Sequence, residues 1–234
     1  LGYIFFQLKA FKKAKSSFKK SISISPNFVN SWDYFGKSCQ IINKKNKIPL
    51  LFKKIIKESN PDPFNLSKIW ANLGIDFFYD KQYSLALLSF NNALKWNPED
   101  ADILCDLGSC HSMLNENLKA LDAFLKVIRI NPHHTLAWYK LGMYYNLHDQ
   151  PLNAVWALKK NLENEKDNAL SWYYLGINLN KLGNLQKGIS SLKKALLYTL
   201  PPTQDFFHQQ DIWYQLGKAY KYQEKFKLGR VVKI

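Results

Sequence analysis

The sequence predicts an all-helical fold made by stacking repeated helix-turn-helix segments, and two regularities carry that expectation. A Leu-Gly or Phe-Gly dipeptide ends at Gly2, Gly36, Gly74, Gly108, Gly142, Gly176 and Gly217, giving separations of 34, 38, 34, 34, 34 and 41 residues. Twelve residues after most of these glycines stands a small residue, followed four later by Phe or Leu: Ala14 with Phe18, Ala86 with Phe90, Ala120 with Phe124, Ala154 with Leu158 and Gly188 with Leu192. Self-similarity at such a period marks a solenoid, because one repeat alone cannot hide its apolar faces and must stack on the next.

With the glycine as position 8, the repeats run over 1–28, 29–62, 67–100, 101–134, 135–168, 169–202 and 210–234. The first and last are partial, so the chain, a single solenoid over 1–234, reads as a fragment of a longer protein. In each repeat the glycine and the small residues at positions 20 and 27 let two helices approach, while large apolar residues at 4, 7, 11 and 24 fill the space beside them. Proline at Pro26, Pro98, Pro132 and Pro201 stops the second helix, since it has no N–H to continue it.

Repeat two departs from this, with Ile48 and Ile55 at positions 20 and 27 and Pro49 between them, so its second helix is expected to start late or bend. Residues 63–66 are then an insertion, and "SNPDPF" at 59–64 is expected to be a rigid loop. Repeat five has Asn161 at position 27 and Lys166 at 32; the amide either satisfies a neighbouring backbone group or loosens the contact. A second insertion, 203–209, predicts a surface loop displaying Phe206 and Phe207.

The pattern resembles the tetratricopeptide repeat family, whose Trp-x2-Leu-Gly-x2-Tyr, Ala-x3-Phe-x2-Ala and Pro motif is matched by "AWYKLG" at 137–142, "SWYYLG" at 171–176 and "IWYQLG" at 212–217. The resemblance covers essentially the whole chain. It implies a right-handed superhelical solenoid and a non-enzymatic scaffold or adaptor within a multiprotein complex.

Composition excludes more than it names. No run of about 18 apolar residues is present to span a membrane, and at 47% hydrophobic and 22% charged residues the chain falls outside the disordered class. Three cysteines, Cys39, Cys105 and Cys110, lack framework spacing and fit reduced thiols in a cytoplasmic setting. Cys105, Cys110 and His111 diverge in direction on a helix, so neither metal nor cofactor is expected. No phosphate-loop, dinucleotide, zinc-protease or nucleophile-elbow motif occurs; "GKS" at 36–38 has Ser31 where the loop would need glycine, and it falls inside a first helix. The histidines, including His133 and His134, show no catalytic spacing. These features predict no catalytic residue and no small-molecule substrate.

The net charge of +15 is uneven: +11 over 1–60, −3 over 61–168 and +7 over 169–234. Lys12, Lys13, Lys15, Lys19 and Lys20, with Lys44, Lys45, Lys47, Lys53, Lys54 and Lys57, fall on second helices and turns. A solvated face explains them; docking to nucleic acid or anionic membrane is the alternative, without aromatics interleaved for base stacking.

At about 100° per residue, positions 7, 8 and 11 share a face with position 4, and positions 2, 5, 6, 9, 12 and 13 point elsewhere. In the family resembled, that second set lines a concave groove for peptides or partner helices. By this resemblance the candidate contacts are Tyr34, Lys37, Asn72, Phe78, Asp102, Asp106 and Met113, then Tyr139, Lys140, Met143, Asn146, Tyr173, Tyr174, Ile177, Asn180, Tyr214, Lys218 and Lys221. Cys105, Lys181, Gln215 and Tyr222 belong to the same positions. The carboxylate clamp and the asparagine ladder of other members are not reproduced, since position 6 reads Tyr34, Asn72, Asp106, Lys140, Tyr174 and Gln215. The wall of Tyr and Met with acidic Asp102 and Asp106 suits a protein or peptide partner that is apolar with some positive charge. Trp138, Trp172 and Trp213 are assigned to the packed face and need no ligand. A catalytic domain outside the chain, for which the array would recruit substrate, is the other alternative.

Overall fold

The computed structural model describes residues 1–42, 47–199 and 206–231, apart from the side chains of 206–208 and 225–231. Lys44 and Lys45, residues 200–205 with Pro201, and the side chains of Phe206, Phe207 and His208 therefore lie outside the described residues. Thirteen helices and no strand occur among the described residues: α1 Gly2–Gln7, α2 Phe11–Ile24, α3 Val29–Ile41, α4 Ile48–Ser59, α5 Pro63–Tyr79, α6 Tyr83–Ala93, α7 Ala101–Met113, α8 Asn117–Ile130, α9 Thr135–Leu147, α10 Pro151–Asn164, α11 Ala169–Lys181, α12 Leu185–Tyr198 and α13 Phe206–Val231. The chain divides into two compact bodies, 1–123 and 124–234, and the division falls within α8.

Helix ends follow local chemistry at a fixed place in the repeat. Asp62, Asp100, His134 and Asn168, all at position 34, cap the next helix by accepting from the N–H three residues on. Inside a repeat, the turn between helices places one residue in the left-handed region: Lys9 (φ 56°), Lys81 (59°), Asn115 (60°), Asp149 (51°) and Gly183 (78°), all at position 15. That conformation reverses the chain after one residue and brings the second helix back along the first.

In the N-terminal body one apolar cluster joins Ala14, Phe18, Trp32, Phe35, Phe52, Trp70, Phe77 and Phe90. In the C-terminal body Leu158, Leu162, Leu175 and Leu179 form one cluster, and Ile189, Leu192, Ala195, Ile212, Leu216 and Ala219 another. Position 8 governs the closeness of each pair. A Cβ on Gly74 would sit 2.6 Å from the Phe90 ring, one on Gly142 2.7 Å from Leu158, and one on Gly176 2.7 Å from Leu192, each partner being sixteen residues later. Gly2 against Phe18 (2.8 Å) and Gly36 against Phe52 (3.3 Å) repeat the arrangement.

Two sequence expectations change here. Asp62 caps α5 and Pro63 opens it, so residues 63–66 extend a helix by a turn and the expected rigid loop shrinks to residues 60–62. Proline at the first helical position has no N–H to waste and its φ is already helical. At the C-terminal end α13 runs unbroken from Phe206 to Val231 where a turn was expected near Glu224. Gly217 consequently has nothing within 4 Å of its Cβ position, and Trp213, assigned to a packed face, is 63% exposed. Asn161, by contrast, tightens its contact: it is fully buried, its Nδ2 donates to the Thr135 carbonyl at 2.9 Å, and it accepts from Ser171.

Candidate functional site

Trp at position 4 is more than filler, because its indole N–H ties the first helix of a repeat to the turn before it. Trp32 Nε1 donates to the Pro26 carbonyl at 2.8 Å, Trp138 to Pro132 at 2.7 Å and Trp172 to Lys166 at 2.8 Å, each six residues back. This bond fixes the roll of the first helix and so the direction of the neighbouring positions 5, 6 and 9. Sequence reasoning missed it, since the acceptor is a turn carbonyl that only the folded path brings near.

In the C-terminal body the first helices α9, α11 and α13 lie in succession, α9 beside α11 and α11 beside α13. Asn178 Nδ2 donates to Asn146 Oδ1 at 2.9 Å and to the Tyr174 carbonyl at 2.8 Å, linking α11 to α9. Lys181 Nζ pairs with Asp149 at 2.8 Å across the same two repeats. Between α11, α13 and the start of α12 opens a cavity of about 450 Å³ lined by Ile177, Asn180, Lys181, Gly183, Leu185, Gln215, Lys218, Ala219 and Tyr222. Asn180 Oδ1 itself is buried against Gly188 of α12 without a hydrogen-bond partner. Ile177, Asn180 and Lys218 come from the predicted set; Leu185, Gly183 and Ala219 were not foreseen, because they lie on the packed face or in the turn.

The tyrosines divide. Tyr139 packs with Val155, Trp172 and Tyr174 around the Leu158 cluster, and burial pushes its phenol up to about 12, with the Tyr174 hydroxyl adding to the shift. Tyr173 packs on the cluster of Ile212 and Leu216, and burial, with Asp211 nearby, raises its phenol and that of Tyr174. The Tyr173 and Tyr174 rings meet edge to face at 5.0 Å. Tyr139 and Tyr173 are thus half-buried, each packed partly against the neighbouring helices. Tyr214 is 63% exposed, with Lys218 Nζ 5.3 Å from its ring centre. Lys140, Met143 and Asn146 are half-buried and Lys221 is exposed.

In the N-terminal body the predicted residues are more engaged in packing. Tyr34 stacks on Phe18 and meets Tyr3 and Phe6 edge-on, so it belongs to the core margin. Lys37 bonds Asp33 at 2.9 Å and reaches to within 3.9 Å of Asp76. Phe78 packs between Tyr79 and Tyr83, and Asn72 is half-buried. Asp102 and Met113 are exposed, Asp106 is half-buried, and Cys105, at a groove position by sequence, is only 1% exposed. Cys110 is buried beside Asp106, and burial with that charge pushes its thiol up to about 12, far from a reactive thiolate. His111 is held by Glu116 at 2.6 Å, and His148 stacks on Tyr144. Among the described residues no group of three or more His, Cys, Asp or Glu is placed to hold a metal, and no helix is long and apolar enough to cross a membrane.

Comparison with known proteins agrees with this geometry. The family described as Tetratricopeptide repeat matches residues 1–28. No curated protein matches the sequence. Among solved structures the chain is similar to YrrB, described as a TPR protein with an unusual peptide-binding site, at 19% identity and a TM-score of 0.57, covering 78% of this chain and 92% of that one. It is similar to a chain of the APC/C hetero-tetramer Cut9-Hcn1 at 19% identity and a TM-score of 0.60, covering 93% of this chain but 41% of that one. MamA matches at 20% identity and a TM-score of 0.51, covering 85% and 94%. With a family match at its first repeat and likeness in fold over most of its length, the chain has a helical-repeat fold of the tetratricopeptide kind.

Proposed function

We propose that the chain is a non-enzymatic scaffold that binds a peptide or helix of a partner protein along the faces formed by its first helices. The observation that carries this reading is the cavity between α11 and α13, whose wall combines apolar Ile177, Leu185 and Tyr222 with polar Asn180, Gln215 and Lys218. An apolar wall with a few polar groups is the chemistry of a peptide site. The peptide-binding site named for YrrB, and the multiprotein assembly that contains Cut9, support the same class of function. Asp211 beside Tyr173 and Tyr174 favours an apolar partner with some positive charge.

Affinity capture followed by mass spectrometry tests this with wild type, Ile177→Asp and Tyr222→Ala. These replacements alter the cavity wall and spare Tyr139 and Tyr173, whose loss would disturb packing. Partners retained by wild type and lost by both variants are expected; an identical set on all three would overturn the reading.

A further inference from the structure

A second cavity of about 450 Å³ opens on the other side of the C-terminal body, among α10, α11 and α12. Its floor is Leu162, Leu175, Leu179 and the half-buried Trp172, and its rim carries Lys159, Lys187 and Lys194. Glu163 is the acidic residue of the lining, and Lys160 already holds it at 2.8 Å.

Its origin is visible in the preceding repeat. There Trp138, at position 4, is covered edge-on by Trp156 at position 22, with ring centres 4.8 Å apart, and is only 5% exposed. One repeat later position 22 is Ser190, so Trp172 has no such cover; Lys194 lies over its ring instead, 4.2 Å from the centre. The space that one aromatic side chain fills in α10 is open in α12, with ammonium groups around its mouth.

We propose that this pocket is a docking site for an acidic segment of a partner protein that inserts an aromatic side chain over Trp172. The inserted ring would take the place that Trp156 takes over Trp138, gaining apolar burial and an edge-to-face contact. Flanking carboxylates would meet Lys159, Lys187 and Lys194, which supply charge complementarity and registration. The two cavities share no lining residue, and only this one has a tryptophan in its floor, so the two sites are separable by mutation.

The test uses the full chain and fluorescein-labelled octapeptides of Asp and Glu, one with a central Trp and one with Ala there. Fluorescence anisotropy is expected to show binding of the Trp peptide that weakens at least about tenfold for the Ala peptide, the size of an anchor residue's share. Ser190→Trp, which fills the space from within, is expected to weaken the Trp peptide by a similar factor while helicity and melting temperature are kept. Should that variant not fold, Lys187→Glu/Lys194→Glu, both exposed, is expected to abolish binding without loss of helicity. Equal binding of the two peptides, or unchanged binding to Ser190→Trp, would overturn the proposal, as would loss of binding to Ile177→Asp. So would capture on anionic phospholipid vesicles that ignores Ser190→Trp, with no binding of the Trp peptide. Because Ile177→Asp probes the other cavity, failure here is distinguishable from failure of the scaffold reading.

Discussion

Ser171 Oγ donates to Asn161 Oδ1 at 2.5 Å, and both side chains are fully buried where α10 meets α11. Positions 27 and 3 of successive repeats meet in the same way at Ser21 and Ser31, 2.8 Å apart. A polar residue at a position usually held by Ala is therefore a fully bonded joint. Asn161→Ala removes a second bond to the Thr135 carbonyl and leaves the buried Ser171 hydroxyl without its acceptor, and is expected to cost about 2 kcal/mol. Ser171→Ala alone costs less, and the double variant should lose less than the sum, with a coupling of about 1 kcal/mol in urea unfolding.

Position 15 sets up a test of backbone conformation. Lys81 holds φ at 59° with a Cβ that disfavours it, whereas Gly183 holds 78° without that cost. Lys81→Gly is expected to stabilise by about 0.5 kcal/mol, since relief of the left-handed strain exceeds the added freedom of the unfolded chain. Gly183→Ala is expected to destabilise by about 1 kcal/mol, although no atom lies within 4 Å of its Cβ position. Paired thermal melts of the two variants, moving in opposite directions, check the assignment.

How far the sequence reached depends on whether a contact is internal to one helix pair. The pairing of Gly74 with Phe90 and of Gly176 with Leu192 follows from spacing alone, because both partners sit in one helix-turn-helix. Tyr139 was less legible. A helical wheel for an isolated helix turns it away from the packed face, but α11 lies alongside α9 and covers that direction, leaving the ring half-buried. The cavities were invisible for a related reason, since each is bounded by three helices and depends on a side chain that is small, Ser190, or elsewhere. At the end of the chain α13 continues through Glu224 at position 15, and no local signal announces it, because Lys9, Lys81 and Asp149 reverse the chain at that position without Gly, Asn or Pro.

Asp76 predicts a pH dependence. Burial raises its carboxyl from an ordinary 3.8 to about 6, against the pull of Lys37 and with help from Asp33 and Asp80. Lys37 is itself lowered by burial, but the hydrogen bond it donates to Asp33 and the charges of Asp76 and Asp33 outweigh this and leave its ammonium raised. The folded state thus holds the Asp76 proton more tightly than the unfolded chain does. Its contribution to stability is fully present below about pH 4 and fades as pH rises through about 6. Asp76→Asn should match wild type near pH 4 and exceed it at pH 7.5 by on the order of 1 kcal/mol, allowing for solvent screening. Urea titrations at the two values check this; a variant less stable than wild type at pH 7.5 would mean that the charged Lys37–Asp76 pair dominates.

Gly74 and Gly217 occupy the same position of their repeats in opposite surroundings. A Cβ on Gly74 would lie 2.6 Å from the Phe90 ring, which is fully buried and cannot retreat without moving its neighbours. Gly74→Ala is expected to destabilise by about 2 kcal/mol, the cost of forcing a methyl into a packed interface. Gly217 lies inside α13 with open space around its Cβ position. There the helix preference of Ala over Gly acts alone, and Gly217→Ala should stabilise by roughly 0.5–1 kcal/mol. Thermal melts monitored by far-ultraviolet circular dichroism would register a fall for the first variant and a rise for the second. A fall at Gly217 as well would require a helix packed over Trp213 and Gly217, as Phe90 packs over Gly74, and would overturn the single continuous helix seen from Phe206 to Val231.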